Sequence, residues 1–282
     1  MVRGPHLDMR LLWSTPTFQV LTSTWDRQRH PIDSKRQAES ASIEWMRVGT
    51  YCKQVRGAEV VGDTNTAVFF NPGEDFRVSH GDMRSNCGTT IRLEKGFLNE
   101  LLTELGSNAM QSVGRPFQQT HTITSPACYL LQQRLISLLG GADAEPLVVE
   151  EMVYRLLAMV LDVSSRKQTP IGVVAARRLA LVQEFLNASF RQKLSLVQVA
   201  AIAGCSPWRI CHVFSLGTGL SISRYLGRTR LRRALALIHE TDRGLAAIAL
   251  ETGFSSHSHM SAMFRREFGM TPTESRRPAT WN

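Results

Sequence analysis

LSLVQVAAIAGCSPWRICHVFSLGTG (residues 194–219) and GLAAIALETGFSSHSHMSAMFRREFG (residues 244–269) read as one pattern written twice. At an offset of 49 to 50 residues, Leu196, Val199, Ala200, Gly204, Ser206, Ile210, Phe214 and Gly219 recur as Leu245, Ile248, Ala249, Gly253, Ser255, Met260, Phe264 and Gly269. Two short helices that cross steeply need these residue types at these places: apolar residues to bury between them, a small alanine where they approach, and a glycine for positive φ in the turn. The pattern predicts helix-turn-helix units over 195–216 and 245–268. The second helix of such a unit enters the DNA major groove, so two of them in one chain point to a sequence-specific reader of double-stranded DNA.

The charge agrees with that partner. Residues 173–282 hold 15 Lys+Arg against 6 Asp+Glu, whereas residues 1–172 hold 18 of each, so the net +9 of the 282-residue chain sits entirely on the segment with the repeats. Phosphate binding requires this placement. The five cysteines are scattered, without a CxxC or zinc-ligand spacing, which suggests reduced thiols; Cys52 and Cys87 are the pair to watch for redox chemistry, with inert thiols as the ordinary alternative. No stretch reaches the ~18 apolar residues of a membrane helix and no export signal opens the chain, so a soluble cytoplasmic protein without membrane contact is expected.

Upstream of the repeats the texture changes twice. Residues 1–40 mix apolar islands (Leu11 to Trp13, Phe18 to Leu21) with a polar run, and are expected to be largely mobile. From Ile43, short β-type runs are punctuated by turn signals such as Asn71-Pro72-Gly73, which favours a small antiparallel barrel or sandwich. After residue 97 the period becomes helical, with helices expected over 97–105, 128–139 (Ser125-Pro126 as cap and first turn) and 146–163. Apolar residues cover more than half the circumference of the last helix, so it is either sandwiched inside its domain or meets a second subunit. The expectation carried forward is a homodimer formed through it, which a charge at Met152 or Met159 would break. Ser164 to Gly172 reads as a linker. The organisation is thus α+β in two domains: 1–40 flexible, 41–163 regulatory or dimerising, 164–174 linker, 175–282 all-α and DNA-binding.

The residues from LSLVQVAAIAGCSPWRICHVFSLGTGLSISRYLGRTRLRRALALI through LAAIALETGFSSHSHMSAMFRREFGMTPTESRR resemble the DNA-binding domain of AraC/XylS-type bacterial transcription regulators over about 100 residues. Several pieces come in that family's order. They are Ser206-Pro207 opening the first recognition helix, Tyr225-Leu226 and Arg230-Leu231 with Ala234 on the connecting helix, Gly253-Phe254 in the second turn, and Phe264-Arg265-Arg266, Phe268-Gly269 and Thr271-Pro272. Two places depart from it: Ser215-Leu216 stands where basic residues are usual, and Ser275 where an aromatic is usual. AVFFNPGEDFRVSHG and CGTTIRLEKG are similar to the cupin-like N-terminal domains of the same family. The resemblance implies a cupin-like antiparallel barrel with flanking helices, a small-molecule effector, contact with RNA polymerase, and two reading heads on one face of the DNA.

Removing the apolar core positions leaves the residues for the groove. On the first recognition helix these are Pro207, Trp208, Arg209, His212 and Ser215; on the second, His257, Ser258, Ser261, Ala262, Arg265 and Arg266, the two arginines late enough to prefer phosphates. Arg209 suits guanine O6/N7 or a phosphate, and Trp208 a sugar or a thymine methyl. Arg224, Arg228 and Arg232 form a basic stripe at four-residue spacing on the connecting helix and are candidate phosphate contacts. Arg77 or His80 could line an effector pocket. His257-Ser258-His259 is a poor metal site, because residues two apart on a helix point in different directions. The N-terminal histidines form no close pair, and no G-x-S-x-G, P-loop or dinucleotide fingerprint occurs. No catalytic residue, metal or cofactor is expected, which disfavours a cupin-type metalloenzyme fused to the DNA-binding part. An architectural DNA binder without effector would leave the neutral N-terminal domain without a purpose.

Overall fold

A computed structural model describes residues 8–26, 33–80, 85–104, 115–141, 144–165 and 171–276. The chain divides into two compact units, Met1–Ala180 and Leu181–Asn282.

The first unit is built on two antiparallel sheets. Its strands are β1 (Asp8–Ser14), β2 (Phe18–Asp26), β3 (Asp33–Gln37), β4 (Ala41–Val48), β5 (Tyr51–Val55), β6 (Ala58–Gly62), β7 (Thr66–Phe70), β8 (Asp75–His80), β9 (Ser85–Leu93) and β10 (His121–Ile123). Six form one sheet in the order β1-β2-β9-β4-β7-β10, and four form the other in the order β3-β8-β5-β6. Helices α1 (Lys95–Glu104), α2 (Pro126–Gly140) and α3 (Pro146–Ser165) follow.

Strand alternation assigns the layers. Met46, Val68 and Phe70 of the six-stranded sheet pack with Tyr51, Val55, Val60, Phe76 and Val78 of the four-stranded one. Ile43, Trp45, Ala67, Phe69 and Ile91 point the other way, into a core shared with Leu98, Leu135, Val153 and Leu157 of the helices. The six-stranded sheet is therefore a middle layer, covered on both faces. For this reason β7 (TAVFF) is buried at every position and shows no polar alternation.

One expectation fails here and another loses its premise. The first forty residues were expected to be mobile, yet they carry three strands. The apolar islands are the two arms of a β1–β2 hairpin (Leu11↔Leu21), closed by Thr15, whose Oγ1 accepts the Phe18 N–H at 3.1 Å. The polar run contributes β3, which pairs only with β8 at the sheet edge and so needs no apolar alternation. Residues 1–7 and 27–32 of that expectation lie outside the described residues. The premise lost is the one behind the pairing of two chains through α3. Met152 is 3% exposed and Val149, Val153, Leu156 and Leu157 are 0% exposed within this one chain, because α3 packs on α2 as well as in the core beneath the sheet. Two intrachain partners account for its wide apolar arc, and the argument for a second subunit there falls away.

The second unit is helical: α4 (Val173–Ala188, whose C-terminal half belongs to it), α5 (Leu196–Ala203), α6 (Pro207–Thr218), α7 (Ile222–Glu240), α8 (Leu245–Glu251), α9 (His257–Phe268) and α10 (Pro272–Arg276). The division falls within α4, later than the expected linker at 164–174, of which residues 166–170 lie outside the described part. Four of these helices start where a side chain caps them: Ser195 with Gln198 in a capping box for α5, Ser206 for α6, Ser221 for α7 and Ser256 for α9; α8 starts on Gly244 without a side-chain cap. Helix α5 ends on Gly204 at φ +59°, and the chain turns 79° into α6. The matching Gly253 has φ +83°, and a Cβ there would meet Phe190 O at 2.9 Å, so both conformation and space require glycine.

Candidate nucleic-acid interface

The first recognition helix, α6, buries Ile210, Val213 and Phe214. Phe214 meets Tyr225 of α7 edge to face at 5.1 Å, and the Tyr225 hydroxyl accepts from Gln183 Nε2 at 2.9 Å, which fixes α6 against α7 and α4. That packing turns Pro207, Trp208, Arg209, His212 and Ser215 to solvent. Trp208 is 75% exposed, and its ring lies parallel to that of His212, with centroids 5.7 Å apart and an interplanar angle of 3°. One turn of helix thus presents a flat aromatic plate, with Arg209 also exposed on that turn.

The second recognition helix, α9, buries Met260, Phe264 and Phe268. His257, Ser258, Ala262, Arg265 and Arg266 are exposed and Ser261 is half-buried. The Ser261 hydroxyl is 3.2 Å from His257 Nε2, so the histidine is held by the residue one turn on. His259 is engaged elsewhere, with Ser255 Oγ at 3.1 Å from Nδ1 and its ring edge-on to Phe254. The HxH pair therefore diverges, and among the described residues no group of three or more His, Cys, Asp or Glu could hold a metal ion.

The basic stripe on α7 does not stand as a row of surface charges. Arg224 is exposed, but Arg228 is 9% and Arg232 1% exposed. Helix α7 is the central helix of the unit, buried along one side from Tyr225 and all round from Ala234 to Ile238, and four-residue spacing carries Arg228 and Arg232 inward with it. Arg228 Nε is 2.7 Å from Glu267 of α9. Arg230 donates through Nε to Phe190 O (2.7 Å) and through Nη2 to Gln192 O (2.8 Å), tying α7 to the loop after α4. These are bracing contacts that the sequence pattern did not separate from phosphate contacts.

In the N-terminal unit Arg77 is exposed between inward Phe76 and Val78, and lines an open depression with Lys35, Gln54, Glu59 and Asp75. It does not face the space between the sheets. His80 ends β8 opposite Tyr51, and its side chain lies outside the described part. The polar groups that do face inward were missed. Lys53 is 0% exposed, its Nζ donating to Phe69 O (2.8 Å) and Glu74 Oε2 (3.1 Å) and lying 4.0 Å from the Phe70 ring centre. Glu44 accepts from the Tyr51 hydroxyl (2.9 Å) and Ser23 Oγ (3.3 Å); burial raises its pKa, and burial with the adjacent Glu44 charge raises that of Tyr51. The signal was a charged residue at an inward position of an alternating strand. Cys52 and Cys87 stand on different sheets, on β5 and β9.

Comparison with known proteins matches the double pattern. Residues 199–278 fit a protein family described as a helix-turn-helix domain. The HTH-type transcriptional activator RhaS of Klebsiella pneumoniae (strain 342) is 31% identical over 134 residues, covering 48% of this chain and 48% of that protein. RhaS of Enterobacter sp. (strain 638) is 35% identical over 136 residues, with the same coverage. The chain spans about half the length of the curated relatives it matches. Among solved structures, a transcriptional regulator with an AraC-type DNA-binding domain from Chromobacterium violaceum is 30% identical, covering 37% of this chain and 94% of that one, with a TM-score of 0.35. The C-terminal unit contains a helix-turn-helix domain over residues 199–278. No single helix among the described residues is long and apolar enough to cross a membrane.

Proposed function

We propose that the chain is a sequence-specific DNA-binding transcription regulator, and that its N-terminal unit responds to a small molecule. The observation that carries the reading is the packing of α6 and α9. Each is locked by its apolar face, and each turns outward a set of residues able to reach base edges, within a unit whose 13 Lys+Arg against 6 Asp+Glu carry +7 of the chain's net +9. Trp208, Arg209 and His212 are assigned to bases through the first head, and His257, Ser258, Ser261 and Ala262 through the second. Pro207 and Ser215 flank the first. Arg265, Arg266 and Arg224 are assigned to phosphates.

An N-terminal unit with charged groups between its sheets, Glu44 and Lys53 among them, suits recognition of a ligand better than a purely architectural role. RNA polymerase is the natural protein partner of such a regulator, the cytoplasm its natural place, and no catalytic step is assigned to it. The test is selection of DNA from a random pool by the full chain, followed by footprinting. A protected site with two separated groups of discriminated base pairs supports the reading. Binding that is equal for all sequences overturns it.

A further inference from the structure

The helix-facing side of the six-stranded sheet carries a polar patch outside everything assigned above. By register, Thr22 of β2, Thr89 of β9 and Trp45 of β4 stand side by side on one rung. One step along, the β4–β9 ladder passes from Met46↔Gly88 to Val48↔Cys87, which leaves Arg47 as the extra residue of a bulge. Bulges re-aim side chains. Here Arg47 reaches back over β9 and β2, its Nη2 2.7 Å from Cys87 Sγ and 2.7 Å from Thr22 Oγ1.

Three donors on this patch are left over: Arg47 Nε, the Trp45 indole Nε1–H and the Thr89 hydroxyl. Each atom is shielded from solvent and none has a hydrogen-bond partner among the described residues. Trp45 is 2% and Thr89 1% exposed. Gln132 of α2 spans the seam, donating from Nε2 to Trp45 O at 3.5 Å, and its Oε1 is a further unpartnered atom, an acceptor suited to a ligand hydroxyl. Buried donors are nearly always satisfied, so a cluster of them on adjacent rungs calls for an acceptor group beside them.

Charge decides what that group is. Of these residues only Arg47 is charged, and Trp45, which faces Thr89 across the ladder, belongs to the apolar core with Val20, Ile91 and Leu135. One negative charge is balanced there, whereas a dianion would carry an uncompensated charge into the core. We propose that this seam between the six-stranded sheet and α2 binds a small monocarboxylate, whose oxygens accept from Trp45 Nε1–H, Thr89 Oγ1–H and Arg47 Nε–H. The inference rests on the reading of the N-terminal unit as the responsive part of the chain, and adds to it the place and the chemical class of the ligand.

The test uses the full chain, with acetate, benzoate and inorganic phosphate titrated at constant ionic strength. Benzoate or acetate should raise the unfolding temperature, and Arg47→Gln and Thr89→Val should each weaken that binding tenfold or more with the unliganded circular dichroism unchanged. Cys87 reports on the same spot: its rate of alkylation, followed by peptide mass spectrometry, should fall on adding carboxylate in the parent chain and stay constant in Thr89→Val. If Arg47→Gln does not fold, Thr89→Val and the Cys87 rate decide. The proposal is overturned if no carboxylate binds, if binding is equal in parent and variants, as it would be on the basic C-terminal surface, or if phosphate binds more tightly than carboxylate. DNA binding by the unliganded chain is measured separately; its loss would overturn the regulator reading and leave the carboxylate site as found.

Discussion

Arg228 Nε lies 2.7 Å from Glu267 Oε1, which joins the connecting helix α7 to the second recognition helix α9. Next to this pair, a Cβ on Gly227 would lie 3.8 Å from Met263 Cε, so the two helices are packed as well as ionically tied there. Replacing Arg228 by methionine strands a largely buried carboxylate, and should cost about 3 kcal/mol in urea unfolding. The salt dependence of DNA binding should stay the same. A fall of about 1 in the log–log salt slope would instead make Arg228 a phosphate contact.

Arg209 and Trp208 should divide the work of the first head. Arg209→Ala is expected to relax preference at one or two base pairs, at ~1–3 kcal/mol if the contact is bidentate. Binding weakened uniformly across sequences would assign Arg209 to the backbone. For Trp208→Ala, affinity should drop most on sites whose thymines face α6, and replacing those thymines by uracil should remove the difference between variant and parent.

Met152→Asp should unfold the N-terminal unit, because the carboxylate would enter a core that is closed within one chain. A loss of about 3 kcal/mol or more is expected for an unpaired buried charge. Leu147→Asp on the same helix should be nearly neutral, since Leu147 is 71% exposed. Circular dichroism and gel filtration separate the two; a folded monomer from Met152→Asp together with a dimeric parent would reinstate pairing through α3.

Burial lowers the His121 pKa from 6.5 to about 4. A depressed folded-state pKa means that the unfolded chain takes up the proton first. The stability His121 contributes is therefore present above pH 6.5 and lost as pH falls from 6.5 toward 4. Thermal unfolding of the N-terminal unit across that window should show this loss, and His121→Gln should flatten it. An equally steep acid loss in the variant would place the effect on other groups.

The C-terminal unit was legible almost residue by residue because its signals are local. Ser206 caps, Gly204 and Gly253 turn, and core positions recur at helical spacing, so the outward residues follow by subtraction; the second cap is Ser256, one residue past the Ser255 that the repeat matched to Ser206. Arg228 and Arg232 escaped that method because a helix enclosed on most sides has no single polar face, and four-residue spacing says only that residues share a side. In the N-terminal unit the misses come from layering. A strand buried on both faces, as in β7, loses its alternation, and a helix held between two partners looks like one that lacks a subunit. The bulge at Arg47 has no sequence signal at all, since it exists only in the pairing of β4 with β9.

The two helix-turn-helix units are successive copies along one chain, and their outward residues have diverged: an aromatic plate with an arginine on α6, histidine and serine on α9. A protein of two identical halves facing each other reads the same word from either strand. This one cannot. A DNA site that fits it has a head and a tail, and reversing the site end for end puts each group of bases under the wrong helix. The orientation of such a site relative to the start of a gene therefore carries information of its own, and inverting it in place, with every base pair kept and every spacing unchanged, would reverse the order in which α6 and α9 lie along the DNA.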